Sequence, residues 1–394
     1  MAPADHLRNA LVQDLVDRGA ITSRAVRQAF EQVPRHLFVP KVDVATAYSD
    51  QPVFTRWDAE IPTSSSSQPT MMAIMVEQLN VQPGSRVLEI GAGTGYNAAI
   101  LSHMVGESGS VVTVDIDRDI VDEAAVNLSN AAYDNVKCVC GDGFEGFPAE
   151  QPYDRIIVTV GAQDVSPHWV DQLKNGGIMV VPLWFKGFTL SVALEKRDGE
   201  LSSLSASPCT FIPMRGMWQR TEGYFPIGDP TGDSQQMTIG LEWDDQSFRR
   251  DLNRLFAQDA RLLEAGRSLE GQFYPQDIFS GLYMSLTAHP GTFMVISSSE
   301  KALFQGFGYC LVDLDSTSAA VLSNAHPERV AVYGRDDTAY NRLIELLDEW
   351  DRLGRPSIRD LHIRALFNPP QFIPDGHWTI AKRSHYTWTL SWVS

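Results

Sequence analysis

Three glycines stand at alternate positions in the run GAGTG, at Gly91, Gly93 and Gly95, directly behind the apolar segment Arg86–Ile90. Glycines so spaced at the end of a strand make a tight turn that lets backbone amides approach a ligand closely. Acidic residues recur nearby: Glu89 inside the first apolar segment, Asp115 after VVTV, and Asp142 in CGDG. An acid closing the second strand is placed to accept both hydroxyls of a ribose, and Asp142 to accept the exocyclic amine of an adenine. Two ligand classes then compete. A dinucleotide fingerprint wants a glycine in the sixth place of GxGxxG, where this chain has Tyr96, and a pyrophosphate would sit badly beside Glu89. S-adenosylmethionine fits better, because its sulfonium and amine are cationic and favour a nearby carboxylate. A nicotinamide-dependent dehydrogenase is the other enzyme class, separable by titration with NADH. The bland alternative is that these acids only end strands and cap helices.

The elements that must position these groups are visible in the hydrophobic pattern. Leu7, Leu11, Leu15 and Val12, Val16 recur at helical spacing over 5–18, with Gly19 behind them as a C-cap; Ser23 caps a second helix over 25–33, which Pro34 stops. Pro69 opens a third helix over 70–79, built on Met71, Ile74, Met75 and Leu79. From residue 83 short apolar runs alternate with helical stretches. Strands are predicted at Arg86–Ile90, 110–114, Val136–Cys140, 155–160 and 178–182, with helices at Tyr96–Val105, 120–131 and 165–173. Such alternation with nearly continuous apolar strands predicts a parallel sheet covered on both faces, a doubly wound α/β fold of the Rossmann type.

Beyond Leu194 the pattern turns irregular, and a Pro- and Gly-rich stretch, YFPIGDPTG at 224–232, marks a boundary. The predicted organisation is N-terminal helices and a polar loop over 1–80, a cofactor core over 81–228, and an α+β accessory domain over 234–394. In that last part helices are predicted over 249–265 and 338–353, and strands over 293–297 and 329–333. The segment 385–394 alternates strictly, with Tyr386, Trp388, Leu390 and Trp392 on one face and Thr387, Thr389 and Ser391 on the other, which reads as a sheet packing its aromatic face inward.

Composition bounds the partners. The 394 residues suffice for two domains, and 49 acidic against 32 basic residues give a formal net charge of −17. That balance argues against nucleic acid and anionic membrane. No apolar run reaches the ~18–20 residues of a membrane span and no signal peptide follows Met1, so a cytoplasmic protein is expected. The four cysteines include no CxxC pair, and Cys138 and Cys140 read as buried thiols; the scattered histidines, His103 and His168 among them, suggest no metal site and no general base. Oligomeric state is left open.

The motifs VPRHLFVP, AYSDQPV, SSSSQP, VLEIGAGTGYNAA, CGDGFEGFP, PYDRIIVTVGA and GGIMVVPL follow one another from Val33 to Leu183. In that order they resemble the protein-L-isoaspartate O-methyltransferases over roughly residues 20 to 220. The resemblance implies a class I methyltransferase fold and methyl transfer from S-adenosylmethionine to the side-chain carboxylate of an isoaspartyl or aspartyl residue in a peptide. It implies that Glu89, Gly91, Gly93 and Gly95 line the methionine end, Asp115 with Ile116 the ribose, and Asp142 with Gly143 the adenine, Thr159 also facing the cofactor. Ser67, with Ser66 beside it, would touch the reacting carboxylate. Ser64, Ser65, Gln68, Val160, Gly161, Ala162, Val181, Pro182 and Leu183 would meet the peptide. A carboxylate is already ionised and nucleophilic at neutral pH, so the reaction asks for positioning rather than a base. Ser67 also fits an N-cap for the helix near Pro69.

Two features depart from the repair enzymes of that family. Where they carry a glycine-rich approach to Ile-Ser-Gln-Pro, this chain reads FTRWDAEIPTSSSSQP, and the chain runs on for a long C-terminal extension where they end soon after the methyltransferase fold. Both features resemble relatives encoded beside lanthipeptide or graspetide precursors, which methylate an ordinary aspartate in a ribosomally made, modified peptide to install an aspartimide or isoaspartate. Tailoring of one dedicated, cyclised peptide is therefore favoured over general repair. A peptide-binding protein on an inactive methyltransferase fold is the reading from another class, and failure to bind S-adenosylmethionine would favour it.

Overall fold

The computed structural model describes residues 3–217, 223–227, 237–241, 246–267, 269, 276–297, 306–313, 315, 317–366, 377–382 and 385–392. Contacts divide the chain into two compact units, Met1–Leu183 with Leu190–Gln219, and Trp184–Thr189 with Arg220–Ser394.

The first unit starts with α1 (Pro3–Asp17), α2 (Arg24–Gln32) and the short α3 (Val44–Ala47), then a separate hairpin of β1 (Val53–Asp58) and β2 (Ile61–Ser66). Ser23 accepts from the Val26 amide at 3.2 Å and so begins α2. Helix α4 (Pro69–Leu79) follows, ended by Asn80 in the left-handed region at φ 50°. Next come β3 (Arg86–Ile90), α5 (Tyr96–Val105), β4 (Ser110–Asp115), α6 (Arg118–Asn130), β5 (Val136–Cys140), β6 (Tyr153–Val158), α7 (Pro167–Gln172), β7 (Leu173–Phe185), β8 (Phe188–Arg197) and β9 (Glu200–Pro208).

These strands lie in the order β5-β4-β3-β6-β7-β8-β9. Pairing is parallel from β5 through β7, and Val87, Leu88, Val111 and Val112 are buried because helices cover both faces. The expected parallel sheet is thus only part of the layer. Strands β8 and β9 pair antiparallel, turning at Asp198-Gly199, where φ is 52° and 86°. An Asp-Gly pair supplies the two positive φ angles that a tight hairpin requires. The core gathers Leu15, Phe30, Met75, Leu79, Ile100 and Val180. Cys138 and Cys140 are half-buried, not the buried thiols predicted, since β5 is the outermost strand of the parallel run; burial still pushes the Cys138 thiol up to about 11.

The second unit contains β10 (Gly223–Ile227), β11 (Met237–Leu241), α8 (Gln246–Phe256), β12 (Arg261–Glu264), α9 (Gln276–Thr287), β13 (Thr292–Ser297), β14 (Gly306–Val312), β15 (Ser318–Ser323), β16 (Arg329–Gly334), α10 (Thr338–Arg352), β17 (Leu361–Leu366), β18 (His377–Lys382) and β19 (Thr387–Trp392). Seven of these strands form an antiparallel sheet in the order β10-β11-β13-β14-β15-β16-β12, and β19 pairs with both β18 and β17. Helix α10 buries Leu343, Leu346, Leu347 and Trp350, the stripe its sequence predicts. The predicted helix over 249–265 ends early: α8 stops at Phe256, and RLLE becomes β12, an edge strand paired with β16 that leaves Leu262 exposed. Trp388 and Leu390 of β19, with Tyr386 just before it, are buried as predicted and Trp392 only half-buried, but Thr387 and Thr389 are buried too, because the strand is central rather than half-solvated. Residues 393–394 and most of the 224–232 stretch lie outside the described residues.

Candidate functional site

The carboxyl ends of β3, β4, β5 and β6 bring the glycine turn and the acids together. Gly91 donates to the Val114 carbonyl at 2.8 Å and has φ 102°; a Cβ there would stand 2.5 Å from Thr159 Oγ1. Thr159 donates to the Ile90 and Gly91 carbonyls at 3.0 and 2.9 Å, so its hydroxyl buttresses the turn. Gly95, at φ 84°, is the residue from which α5 starts. Asp115 Oδ2 accepts from the amides of Ala92 and Gly93, and Oδ1 from that of Asp117. Burial raises its pKa despite these bonds.

Glu89 is fully buried beneath the turn. Asn97 donates to its Oε1 at 2.7 Å, whereas Oε2 has no partner, although Thr113 sits opposite in the parallel register. Burial pushes this carboxyl up to about 7, tempered by the polar groups of Thr113 and Asn97.

Asp142 accepts from the Phe144 amide at 2.9 Å and from the Met217 amide at 2.7 Å. The second donor belongs to a segment that carries no motif in the sequence. Residues 212–217 return along the carboxyl ends of the strands: Gly161 donates to the Ile212 carbonyl, Met214 donates to that of Gly161, and Arg215 pairs with Asp117. A Cβ on Gly216, whose φ is 93°, would stand 2.5 Å from Asp142 Oδ2 and 2.9 Å from the side chain of Ile116. Ile116, Asp142 and Gly216 therefore meet at one place. The only signal in the sequence was the lone glycine of PMRGM. Gly143 is equally confined, its Cβ position 2.5 Å from Ile90.

On the acceptor side, β2 carries Ser64, Ser65 and Ser66, and the chain passes through Ser67 and Gln68 into α4. The Ser65 carbonyl lies 2.9 Å from where a Cβ on Gly93 would stand, so the serine run touches the glycine turn directly. Ser64 and Ser66 are buried; Thr55 bonds the Ser64 hydroxyl at 3.2 Å, and the Ser66 hydroxyl has no partner. Ser67 does not cap α4. That role falls to Asp50, which accepts from the Thr70 amide and hydroxyl at 2.9 and 2.7 Å and from the Gln68 amide group. Arg35, wholly buried, donates to the Ser66 and Ser67 carbonyls at 3.2 and 2.9 Å and lies 5.1 Å from the centre of the Tyr96 ring.

The remaining expected peptide contacts are of two kinds. Val160 is half-buried at the end of β6, whereas Gly161, Ala162, Val181, Pro182 and Leu183 are buried, Ala162 donating to the Pro182 carbonyl at 2.8 Å. The latter group is packed away from solvent. His103 and His168 are exposed, His168 against the edge of Phe144.

The donor set fits S-adenosylmethionine. The unpaired Oε2 of Glu89 suits a cationic methionine end, and the carboxylates of Asp115 and Asp142 retain acceptor capacity beyond the amides already bonded to them. The glycine turn stays open because no side chain fits at Gly91 or Gly93.

Comparison with known proteins agrees with the fold. A model of the protein-L-isoaspartate(D-aspartate) O-methyltransferase family matches residues 6–219. The protein-L-isoaspartate O-methyltransferase of Methanopyrus kandleri is 42% identical over 211 residues, 53% of this chain and 91% of the relative, and that of Hyperthermus butylicus is 40% identical over 218 residues, 53% and 88%. A solved structure described as a protein-L-isoaspartate O-methyltransferase superposes with a TM-score of 0.54 at 27% identity, covering 92% of this chain and 97% of its own. That match runs past residue 219, so a long extension also occurs on a protein of that description. The chain belongs to the protein-L-isoaspartate(D-aspartate) O-methyltransferase family, S-adenosylmethionine-dependent protein carboxyl methyltransferases of the class I fold.

Proposed function

We propose that this enzyme methylates an aspartyl or isoaspartyl side-chain carboxylate in one dedicated, conformationally constrained peptide, as a tailoring step in the making of a ribosomally synthesised modified peptide. The observation that carries the reading is the β1–β2 hairpin: FTRWDAEIPTSSSS delivers the serine run to the glycine turn on an ordered, two-stranded element. A rigid element beside the acceptor suits selection of one partner better than tolerance of many sequences.

S-adenosylmethionine, when bound, supplies an electrophilic methyl group. Asp115 and Asp142 hold the nucleoside part, Glu89 faces the methionine end, and Ser67 and Ser66 orient the acceptor carboxylate by hydrogen bonds. No residue need take a proton, since the acceptor is ionised at neutral pH. The product ester has methanol as its leaving group. Attack by the next backbone nitrogen expels it and closes a succinimide, which water opens to aspartate or isoaspartate.

General repair of isoaspartyl proteins is the second reading, and the solved structure that covers 92% of this chain favours it. Methyl transfer from labelled S-adenosylmethionine to matched linear peptides holding isoaspartate, aspartate or alanine separates the two, with mass spectrometry on each product. Tailoring predicts that the enzyme binds the cofactor yet leaves the linear peptides unlabelled. Strong labelling of the isoaspartyl peptide alone would establish repair.

A further inference from the structure

The hairpin is held at both its base and its side. Its register runs Val53↔Ser66, Phe54↔Ser65, Arg56↔Ser64, Trp57↔Pro62 and Asp58↔Ile61, with irregularities on either side of Arg56. At the base, Val53 and Ser66 are buried and the Ser65 carbonyl seats against Gly93. At the side, Arg56 reaches two carboxylates of α6, Asp119 at 3.1 Å and Glu123, and Lys41 reaches Glu123 at 3.1 Å. Each exposed pair contributes little alone, but the two from Arg56 tie the hairpin to α6 at one spot.

This anchored element presents apolar side chains to water. Phe54 is 43% exposed, Trp57 55% and Ile61 69%, and the irregular register brings Phe54 and Trp57 edge to face with ring centres 5.3 Å apart. An aromatic pair kept in water on a rigid support is a feature of recognition surfaces. At the tip the exposed charge has one sign. Arg56, the only cation of the segment, is engaged by α6, while Asp58 and Glu60 stand exposed at the tip.

We infer that the hairpin tip is the docking surface for the acceptor polypeptide, and that it selects a flanking segment in which an aromatic or long aliphatic side chain stands next to a lysine or arginine. This rests on the acceptor being a peptide whose reacting carboxylate meets the serines of β2. Pro62, opposite Trp57, precedes Ser66 by four residues, about 13 Å at the rise of an extended strand. Phe54 stands opposite Ser65, so an extended flanking segment of the substrate meets Phe54 near the reacting residue and Trp57 about four positions from it. The apolar side chain packs on Phe54 and Trp57, and the cation pairs with Asp58 or Glu60 or lies over the Trp57 ring. A second copy of the chain is a poorer occupant, since two acidic tips would repel each other.

The test uses fluorescent peptides with alanine in place of the acceptor, so that binding is read without methyl transfer. One set carries Leu-Lys or Trp-Lys four positions away, on either side; the other carries Ser-Glu there. Anisotropy titrations with S-adenosylhomocysteine present compare the wild type with Phe54→Ser/Trp57→Ser and with Asp58→Lys/Glu60→Lys. The wild type should prefer the apolar-basic set by about tenfold or more. Both variants should lose that preference while keeping wild-type affinity for S-adenosylhomocysteine, which reports an intact fold. Equal binding of both sets by the wild type, or an equal loss for both sets in the variants, would overturn the inference. So would a dimer in sedimentation that the variants dissociate, which makes a second copy the occupant. If no carboxylate peptide is methylated, the proposed reaction fails while the preference still stands or falls on the anisotropy.

Discussion

Arg35 joins the two halves of the site: its Nη2 donates to the Ser67 carbonyl at 2.9 Å, and its guanidinium lies 5.1 Å from the ring centre of Tyr96, the first residue of α5. Burial lowers its pKa; Nη2 serves the Ser66 and Ser67 carbonyls and Nη1 the Met72 sulfur, while Nε has no partner. Both nitrogens belong to one rigid plane, and a flexible, single-headed ammonium does not hold that set of contacts together. Arg35 is thus a positioning residue for the serine run. Arg35→Lys should lower kcat by about tenfold while changing cofactor affinity by less than about twofold. A variant that loses only thermal stability, with kcat intact, would assign Arg35 to packing alone.

Asp50 takes the capping role that the sequence suggests for Ser67. Because Asp50 caps α4 through Thr70, Asp50→Ala should cost about 1–2 kcal/mol. Ser67→Ala should cost well under that, and act on kcat instead. Denaturation and initial rates on the same two variants decide it. A larger stability loss for Ser67→Ala would return the cap to Ser67.

The difference was legible in part. Apolar periodicity marks α2, α4, α5 and β3 to within a residue or two, because each buries one continuous stripe or run against the same core. What it misses depends on distant partners. RLLE has the composition of a helix end, and only pairing with β16 makes it a strand. Thr387 and Thr389 look solvent-facing until the strand's central place is known. In the site, the glycine turn and its acids are local in sequence. Asp50, Arg35 and Gly216 act across 20, 32 and 74 residues on Thr70, Ser67 and Asp142, and no spacing rule reveals them.

Gly216 offers a controlled test of the returning segment. At φ 93° an alanine would be strained, and its Cβ would press Asp142 Oδ2 at 2.5 Å. Gly199, at φ 86°, has nothing within 4 Å. Both alanine variants carry the strain of a left-handed side chain, about 1 kcal/mol. Only Gly216→Ala should also weaken S-adenosylmethionine binding, by about tenfold, because Asp142 must shift. Calorimetric titration of the two variants measures this, and equal affinities would detach the segment from the nucleoside site.

Glu89 makes stability depend on pH in a stated direction. Its carboxyl is raised from 4.5 to about 7 by burial, so between those values the native state keeps a proton that the unfolded chain has released. The contribution is complete below the unfolded value, declines as pH rises through the folded one, and is flat above it; Asp115, also raised, acts with the same sign. The full effect of a shift of this size is on the order of 3 kcal/mol. Glu89→Gln keeps the shape and the neutral state, so its advantage over the wild type should grow from pH 5 to pH 8. Urea midpoints of the cofactor-free protein at unit pH steps measure that gap. Parallel curves for wild type and variant would mean that Glu89 is ionised in the native protein throughout, with Asn97 and the buried backbone sufficient to hold its charge.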